Sequence, residues 1–375
     1  MTLCGLGRWR RVALPGPRRS TWGVAFGLVA VATAVALAGA PDLVVFVLAA
    51  LAIVPLAYLM GVATEELGKH AGPGVGGLLN ATFGNAVELI LGLAILLGGL
   101  TATVKAEVVK ATITGSILGN LLLILGLSMF VGGLRFARQS FSREAAGVQV
   151  TMLVLAVVAL VMPELYALTF TAGTPGYDPA ALQNVTLLIA AILVVGYAAG
   201  IVFSLRTHRD VFNPVTHETE PPRWPLRGAL AVLVGTTILV AAMSEILVLN
   251  LDGVLSAVGL TPLFVGVIIL AIVGNAAEHG AAILMAARNK MDLSVGIATS
   301  SSTQIALLIA PLLVFASFAL GSPMTLDFEL FELVAIALSV AIVATVASDG
   351  VSNWYEGFLL LLVYAVFAIG FYFHP

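Results

Sequence analysis

Charged residues are scarce in this sequence. Only 10% of its 375 residues are Asp, Glu, Lys or Arg, whereas 60% are hydrophobic and the mean hydropathy is +1.08. Soluble domains carry about 25% charged residues, so the composition excludes a soluble fold. A lipid-embedded backbone must satisfy its own hydrogen bonds, which leaves helical bundles and closed barrels. Because the apolar runs are continuous rather than alternating, we predict an all-α integral membrane protein.

Several chemical signatures are also missing. Cys4 is the single cysteine and cannot form an internal disulfide. The five histidines do not combine with cysteine into a zinc or copper site. A glycine-rich phosphate loop is lacking, which argues against ATP-driven pumping. We find no nucleophile–base set either, so the chain is not expected to be an enzyme or to need a cofactor.

What the sequence does contain is a series of apolar runs. Eleven are long enough to cross a bilayer, which takes about 20 residues. They are Trp22–Ala40, Leu43–Leu67, Gly76–Gly99, Val108–Gly132, Ala146–Pro163, Asn184–Leu205, Gly228–Leu249, Thr261–Ala286, Leu293–Ala319, Phe331–Ala347 and Trp354–Phe373. The first follows an Arg-rich tail and imitates a secretory signal, but about 19 apolar residues exceed the usual signal core. We favour a retained helix, with cleavage as the alternative.

The basic residues test this count. If the N-terminal tail is cytoplasmic, the inner segments hold 15 of the 17 Lys and Arg residues, and only Lys105 and Lys110 lie outside. A miscounted helix would have scrambled this alternation. We therefore predict a cytoplasmic N-terminus and an external C-terminus.

One short sequence motif occurs twice. Gly-Asn-Ala-x-Glu spans Gly84 to Glu88 and returns from Gly274 to Glu278. A carboxylate inside a membrane costs a few kcal/mol, ~2.5–3.5 on insertion scales, and marks a functional site by default. In a continuous helix each asparagine, Asn85 or Asn275, lies on the same face as its glutamate three residues later.

The two copies fall in two sets of five spans. An odd number of spans per set makes the sets antiparallel, which is an inverted repeat with its binding site at the midplane. The predicted parts are a tail (1–21), an extra N-terminal helix (22–42), a first five-helix repeat (43–209), a cytoplasmic linker (210–227) and a second repeat (228–375).

The third span of each set supports this pairing. Two polar segments occupy corresponding positions in the two sets: Thr114-Gly-Ser-Ile-Leu-Gly-Asn120 and Thr299-Ser-Ser-Ser-Thr-Gln304. Each is interpreted as a polar helix start. Small residues that permit tight helix packing explain part of this pattern. They do not explain the amides, whose role in the site or in packing stays open. The supporting polar candidates are Asn80, Ser116, Asn120, Ser301, Ser302 and Gln304.

The donors in these motifs are hard oxygens. Carboxylates of Glu88 and Glu278, amide oxygens of Asn85 and Asn275 and backbone carbonyls at Gly84 and Gly274 form a ligand set that suits Ca²⁺, which takes six to eight oxygens. A carboxylate in hydrocarbon is stable only when it is protonated or bound to a cation. Protons and Ca²⁺ then compete for one site, which predicts antiport.

Four further residues are gate or vestibule candidates. Glu65 and Glu66 lie at the inner end of the second span, and Glu245 lies toward the outer end of the seventh. Solubilising charge at the interface is the alternative for the first two. His279 points about 100° away from Glu278, so it is either a gating or proton-relay group or a packing residue.

The motifs of this chain resemble those of the calcium/proton exchangers of the calcium/cation antiporter superfamily. The resemblance is carried by Gly76–Ile90, Ser116–Leu122, Ser204–His208, Val273–His279, Ser301–Leu307 and Asp349–Gly357. It implies an extra N-terminal helix and two inverted five-helix repeats, with Glu88 and Glu278 carrying Ca²⁺ or H⁺ in turn. It also implies that the first two helices of each repeat slide to alternate access.

The resemblance leaves the driving ion open. Na⁺-coupled Ca²⁺ exchange and Mn²⁺/H⁺ exchange use the same fold and are the alternatives. Val211–Arg223 has only Glu218 and Glu220 where many relatives carry an acidic helix, so regulation by loop-bound calcium is not expected. A short N-terminal region suggests a prokaryotic plasma membrane, and the expected partners are Ca²⁺, H⁺, lipid and possible further copies of the chain.

Overall fold

The computed structural model describes residues 17, 19–71, 79, 82–170, 178–208, 211 and 221–374, and almost all of them are helical. The predicted site residue Asn80, Cys4 and most of the linker lie outside these ranges. The helices are α1 (Arg19–Leu37), α2 (Asp42–Ala71), α3 (Ala86–Leu97), α4 (Ala102–Arg135), α5 (Arg143–Thr169), α6 (Ala180–Thr207), α7 (Leu226–Leu249), α8 (Leu251–Val258), α9 (Pro262–Gly274), α10 (Ala276–Ala286), α11 (Met291–Ala319), α12 (Leu330–Val346) and α13 (Trp354–Phe373).

Eight of these described helices are long and apolar enough to cross a membrane. The number becomes nine if α8 and α9, which meet at 115°, count as one broken span. The apolar helices α3 and α12 are shorter, at 12 and 17 residues. The chain is therefore a helical integral membrane protein, as the composition predicts.

Both copies of the repeated motif interrupt a helix at the asparagine. Helix α9 ends at Gly274, Asn275 has φ −89° and ψ 6°, and α10 begins at the next residue. Asn85 likewise precedes α3, with φ −102° and ψ 28°. The prediction of one continuous helix face is thus wrong. Each glutamate lies in the first turn of a new helix, where free backbone N–H groups favour negative charge.

The sequence suggested that the polar segments of the third spans are helix starts, and the structure contradicts this. They lie in the middle of α4 and α11, which run for 34 and 29 residues. Each is followed by a short π-helical stretch, Gly119–Ile124 in α4 and Ile305–Ile309 in α11. Such stretches insert one extra residue per turn and often accompany functional sites. Polar side chains in mid-helix are stable here because neighbouring helices bury and bond them.

A close crossing joins α4 to α9. A Cβ atom added at Gly115 would collide with the backbone of Val267, and one added at Gly266 would meet the Cβ of Ala111 at 2.5 Å. Glycine at both positions lets the two backbones touch, as small residues commonly do between membrane helices. The crossing places the polar middle of α4 beside the end of α9.

The connections also differ from expectation. The predicted outer loop 250–260 contains α8, and Gly259 permits the sharp bend before α9 because its φ is +70°. Residues 139–140 and 351–352 form a short antiparallel pair, with Gln139 opposite Ser352. The side chain of Gln139 donates to the carbonyl of Ala286 at 2.9 Å. Helices α2 and α7 pack along each other, and α1 packs on α2.

Candidate functional site

The carboxylate of Glu88 is enclosed. Its residue is 5% exposed, and both carboxylate oxygens lack a hydrogen-bond partner in the described part of the chain. It borders a void of about 10 Å³ whose walls include Ser116 of α4 and Ile305 of α11. Gly274 leaves room beside it, since a Cβ there would lie 3.5 Å from the Cγ of Glu88. The second motif therefore forms part of the wall of the first glutamate.

The carboxylate of Glu278 lies at a cavity instead. This cavity has a volume of about 210 Å³ and is lined by residues of α2, α10, α11 and the first motif, among them Glu65, Gly84 and Gln304. Oε2 of Glu278 has no partner among the residues with described positions. Gly274 lines this cavity and also leaves room beside Glu88, so the two motifs meet at the cavity.

A hydrogen-bonded network surrounds Asn85. Its amide donates to Oε1 of Gln304 at 2.6 Å, and its carbonyl accepts from the hydroxyl of Ser301 at 2.8 Å. Both partners lie on α11, more than 200 residues away in sequence. The amide of Gln304, whose role the sequence left open, thus holds a motif asparagine in place.

The same network continues to Asn275. Its amide donates to the hydroxyl of Ser116 at 2.8 Å, and its carbonyl accepts from Asn120 at 3.1 Å. Asn120 also donates to Ser301 at 2.8 Å, which joins the surroundings of the two motifs. The oxygen Oδ1 of Asn120 is buried without a partner among the described residues, so it adds one free oxygen donor.

Ser302 does not join this network. Its hydroxyl bonds to the carbonyl of Ala298 in its own helix at 3.0 Å. Ser301 and Ser302 are both buried, and only their direction on the helix separates their roles. Gly84 lines the cavity, Gly274 lines it and touches Glu88, and Asn80 lies outside the described residues.

The gate candidates occupy different surroundings. Glu65 lines the cavity of Glu278 and pairs with Lys69 at 2.9 Å. Glu66 is buried, also pairs with Lys69, and accepts hydrogen bonds from the backbone N–H groups of Arg223 and Trp224. It thereby ties the C-terminal end of α2 to the segment that precedes α7.

Glu245 and His279 lie elsewhere. Glu245 is exposed and borders a separate cavity of about 670 Å³ between α3 and α7. His279 is buried, and its Nε2 has no hydrogen-bond partner within the described ranges. Neither side chain is joined to the asparagine network by a hydrogen bond in that part of the chain.

The donor set at the centre consists of oxygens. Among the described residues, no group of three or more His, Cys, Asp or Glu side chains is arranged to hold a metal ion. The available ligands are two carboxylates with amide, hydroxyl and backbone oxygens, which are the atoms that Ca²⁺ prefers. Rearrangement of the hydrogen-bonded amides would be needed to reach six ligands.

Sequence analysis missed Glu332. This glutamate is 1% exposed and accepts a hydrogen bond from the hydroxyl of Thr114 at 2.8 Å. It is the second residue of the apolar run Phe331–Ala347. An acidic residue inside the limits of an apolar run was the available signal.

The fold and this site define a class: a polytopic helical membrane protein with a buried, oxygen-rich acidic centre. The family model described as sodium/calcium exchanger protein matches residues 41–206 and again 228–373. The chain belongs to that family, and the resemblance noted from its motifs is confirmed.

Curated relatives are similar over most of their length. The Ca(2+)/H(+) antiporter of Synechocystis sp. is 46% identical over 88% of this chain and 91% of its own. The Ca(2+)/H(+) antiporter ChaA of Bacillus subtilis is 46% identical over 88% and 93%. The solved structure of native YfkE is 40% identical, with a TM-score of 0.80 over 94% of this chain and 100% of that one. The H+/Ca2+ exchanger CAX has a TM-score of 0.70 over 94% and 92%, and at 14% identity it shows the fold alone.

Proposed function

We propose that this chain exchanges Ca²⁺ for H⁺ across a membrane by alternating access. Glu88 and Glu278 bind either Ca²⁺ or protons, with Asn85, Asn275 and the carbonyls of Gly84 and Gly274 beside them. Curated relatives named Ca(2+)/H(+) antiporters, 46% identical over most of this chain, support the pair of ions.

The observation that carries the mechanism is the state of the two carboxylates. Both lie in the first turn of a broken helix, and three of their four oxygens lack a partner within the described structure. A buried carboxylate without partners is stable only when protonated or bound to a cation. Two ionised carboxylates this close to each other would repel, so both stay protonated until a divalent cation binds and compensates their charges. Binding of the cation therefore releases the protons. Exchange follows from this competition.

We propose the eleven-helix architecture with two inverted repeats. Helix α3 is part of one span, and α9 and α10 form another. Each of these helices is too short to cross the membrane alone, because its span is interrupted at the motif. The double match of the family model to residues 41–206 and 228–373 supports two related halves. The asparagine contacts support it further, because each motif asparagine bonds to the third helix of the other half.

We place the N-terminus in the cytoplasm and the C-terminus outside. Contacts between residues near helix ends support this orientation, because each contact joins two segments that are assigned to the same side of the membrane. Lys110 pairs with Asp327 at the proposed outer end, and His70 bonds to the carbonyl of Trp224 at the inner end. The cavity at Glu278 contains Glu65, near the inner end of α2, so the open side is inward. A prokaryotic plasma membrane is the proposed location.

Sodium-coupled Ca²⁺ exchange is the second candidate, because the matching family model includes sodium/calcium exchangers in its description. The described centre offers two carboxylates, which fits protons better than several separate sodium sites. Mn²⁺ in place of Ca²⁺ remains a variant of the first proposal, since it prefers similar oxygen ligands.

The test is calcium uptake into proteoliposomes that contain the purified full chain. A pH gradient is imposed with and without a sodium gradient, and proton movement is recorded with an internal dye. We expect the pH gradient alone to drive uptake, with proton flux in the opposite direction. Uptake that requires sodium and ignores the pH gradient would assign the chain to the second candidate.

A further inference from the structure

Glu332 is a third buried carboxylate that lies apart from the two motif glutamates. It is the third residue of α12 and is 1% exposed. One oxygen accepts the hydroxyl of Thr114 at 2.8 Å, and the other accepts the backbone N–H of Glu329 at 3.1 Å. Both donors are neutral, and no described basic group forms an ion pair with it. Its charge is therefore poorly compensated.

The depth of Glu332 is a consequence of the segment that precedes it. Residues 321–329 are not helical, yet Met324, Leu326 and Phe328 are at most 1% exposed. Side chains satisfy this inserted backbone: the N–H of Met324 bonds to Ser317 and that of Leu326 to Thr186. This buried segment leads directly into α12, whose third residue, Glu332, points into the protein while Glu329 and Leu330 remain exposed.

One cation lies near Glu332 but is already engaged. Lys110 donates to the backbone carbonyl of Asp327 at 2.6 Å and pairs with its carboxylate at 3.3 Å. Glu329 is exposed and lies 3.7 Å from His374. The titratable groups that act on Glu332 are Lys110 on α4 and Glu329 before α12. Asp327 pairs with Lys110, and His374 lies beside Glu329. Glu107 on α4 and Glu164 on α5 interact with the same set of charges.

Helix α4 contacts both Glu332 and the cation site. The partner of Glu332, Thr114, precedes Ser116 by two residues, about 3 Å along the helix axis. Ser116 in turn accepts the hydrogen bond of Asn275. One helix thus bonds both the buried acid and a motif asparagine.

We propose that Glu332 is a third proton-exchanging carboxyl of the transport cycle. It releases a proton when Ca²⁺ occupies the site and regains one when the ion leaves. The inference rests on the proposed Ca²⁺/H⁺ exchange and adds a residue to its proton inventory. The reaction balances, since the O–H bond of the acid breaks and the proton passes to water.

A purely structural role makes a different prediction. Glu332 completes a capping box with Glu329, and glutamine serves at that position as well as glutamate. The amide of Glu332→Gln can accept from the N–H of Glu329 and donate to the hydroxyl oxygen of Thr114. The substitution keeps both contacts and removes only the exchangeable proton.

The experiment counts protons released when saturating CaCl₂ is added to the purified full chain in weakly buffered detergent solution containing a pH dye. We expect Glu332→Gln to release fewer protons per bound Ca²⁺, by up to one, and to weaken the pH dependence of exchange in proteoliposomes. Its melting temperature should match the unsubstituted protein. Glu329→Gln is the matched control, because it removes a carboxylate from the same helix start but from an exposed position, and it should leave the count unchanged.

A Glu332→Gln variant with the original proton count and pH profile would reduce Glu332 to a helix cap. If that variant does not fold, Glu332→Asp is measured instead, which keeps an exchangeable proton, and a lowered count would contradict the proposal. Absence of proton release from the unsubstituted protein would overturn the proposed function together with this inference. Normal release from that protein, unaltered by Glu332→Gln, overturns the inference alone.

Discussion

Glu88 and Glu278 occupy the same position in two copies of one motif, yet their surroundings differ. Glu88 faces a void of about 10 Å³, whereas Glu278 lines a cavity of about 210 Å³. Both are preceded by an asparagine at a helix break, and each asparagine bonds to the polar middle of a distant helix, α11 for Asn85 and α4 for Asn275. The two glutamates thus have similar neighbouring groups, but Glu278 borders a much larger space than Glu88. Two equivalent half-sites with unequal access are what one state of an alternating transporter presents.

The largest effect is expected from the carboxylates themselves. Glu88→Gln and Glu278→Gln should each abolish exchange, a loss beyond the roughly 10–100-fold typical of residues that only support a metal ligand. The amide keeps the shape but cannot trade a proton for a cation. Calcium uptake driven by a pH gradient measures the loss, and an unchanged melting temperature shows that the fold persists. Coupled exchange by both variants would remove the central claim.

Thiol labelling tests the difference in access. In a Cys4→Ser background, Ala281→Cys lies at the open cavity and Ile113→Cys lies at the closed void. We expect a water-soluble methanethiosulfonate reagent to modify the first at least about 10-fold faster, because thiolate reactivity requires solvent access. Labelling is followed by mass spectrometry. Equal rates at the two positions would show that the two half-sites are equally accessible in solution.

The link between the half-sites depends on Ser301. Ser301→Ala removes the hydroxyl that joins Asn85 to Asn120, and it should lower exchange about 10-fold, in the range for groups that orient metal ligands. Ser302→Ala is the control, since its hydroxyl bonds only within its own helix. Transport rates at several Ca²⁺ concentrations measure both. Equal losses in the two variants would remove the special role of Ser301.

The smallest effects are expected at the entrance of the open cavity. Glu65→Gln should raise the Ca²⁺ concentration needed for half-maximal exchange a few-fold, most clearly at low salt, because the carboxylate attracts cations. Glu66→Gln should lower stability instead, by about 1–3 kcal/mol, because it weakens bonds to the backbone of Arg223 and Trp224. Transport kinetics and thermal unfolding separate these effects. A lower melting temperature for Glu65→Gln alone would reverse the assignment.

The sequence by itself determined the membrane class and the central residues. Scarce charge and long apolar runs require membrane helices, and a glutamate inside two such runs is too costly to be incidental. The doubled motif also indicated the family, which is confirmed, and it singled out the glutamates and asparagines as candidates. The membrane class could be predicted because the cost of charge in lipid depends on composition and spacing along the chain, which are local properties.

The tertiary structure decided which polar residues meet. Asn85 and Gln304 are 219 residues apart in the chain and lie 2.6 Å apart between their side-chain nitrogen and oxygen. The break at each asparagine, the separate tasks of Ser301 and Ser302, and the burial of Glu332 all depend on neighbours from other helices. Local sequence rules describe one helix at a time, whereas a buried polar group is stable only if distant partners arrive. Packing therefore determined how the residues found in the sequence form one site.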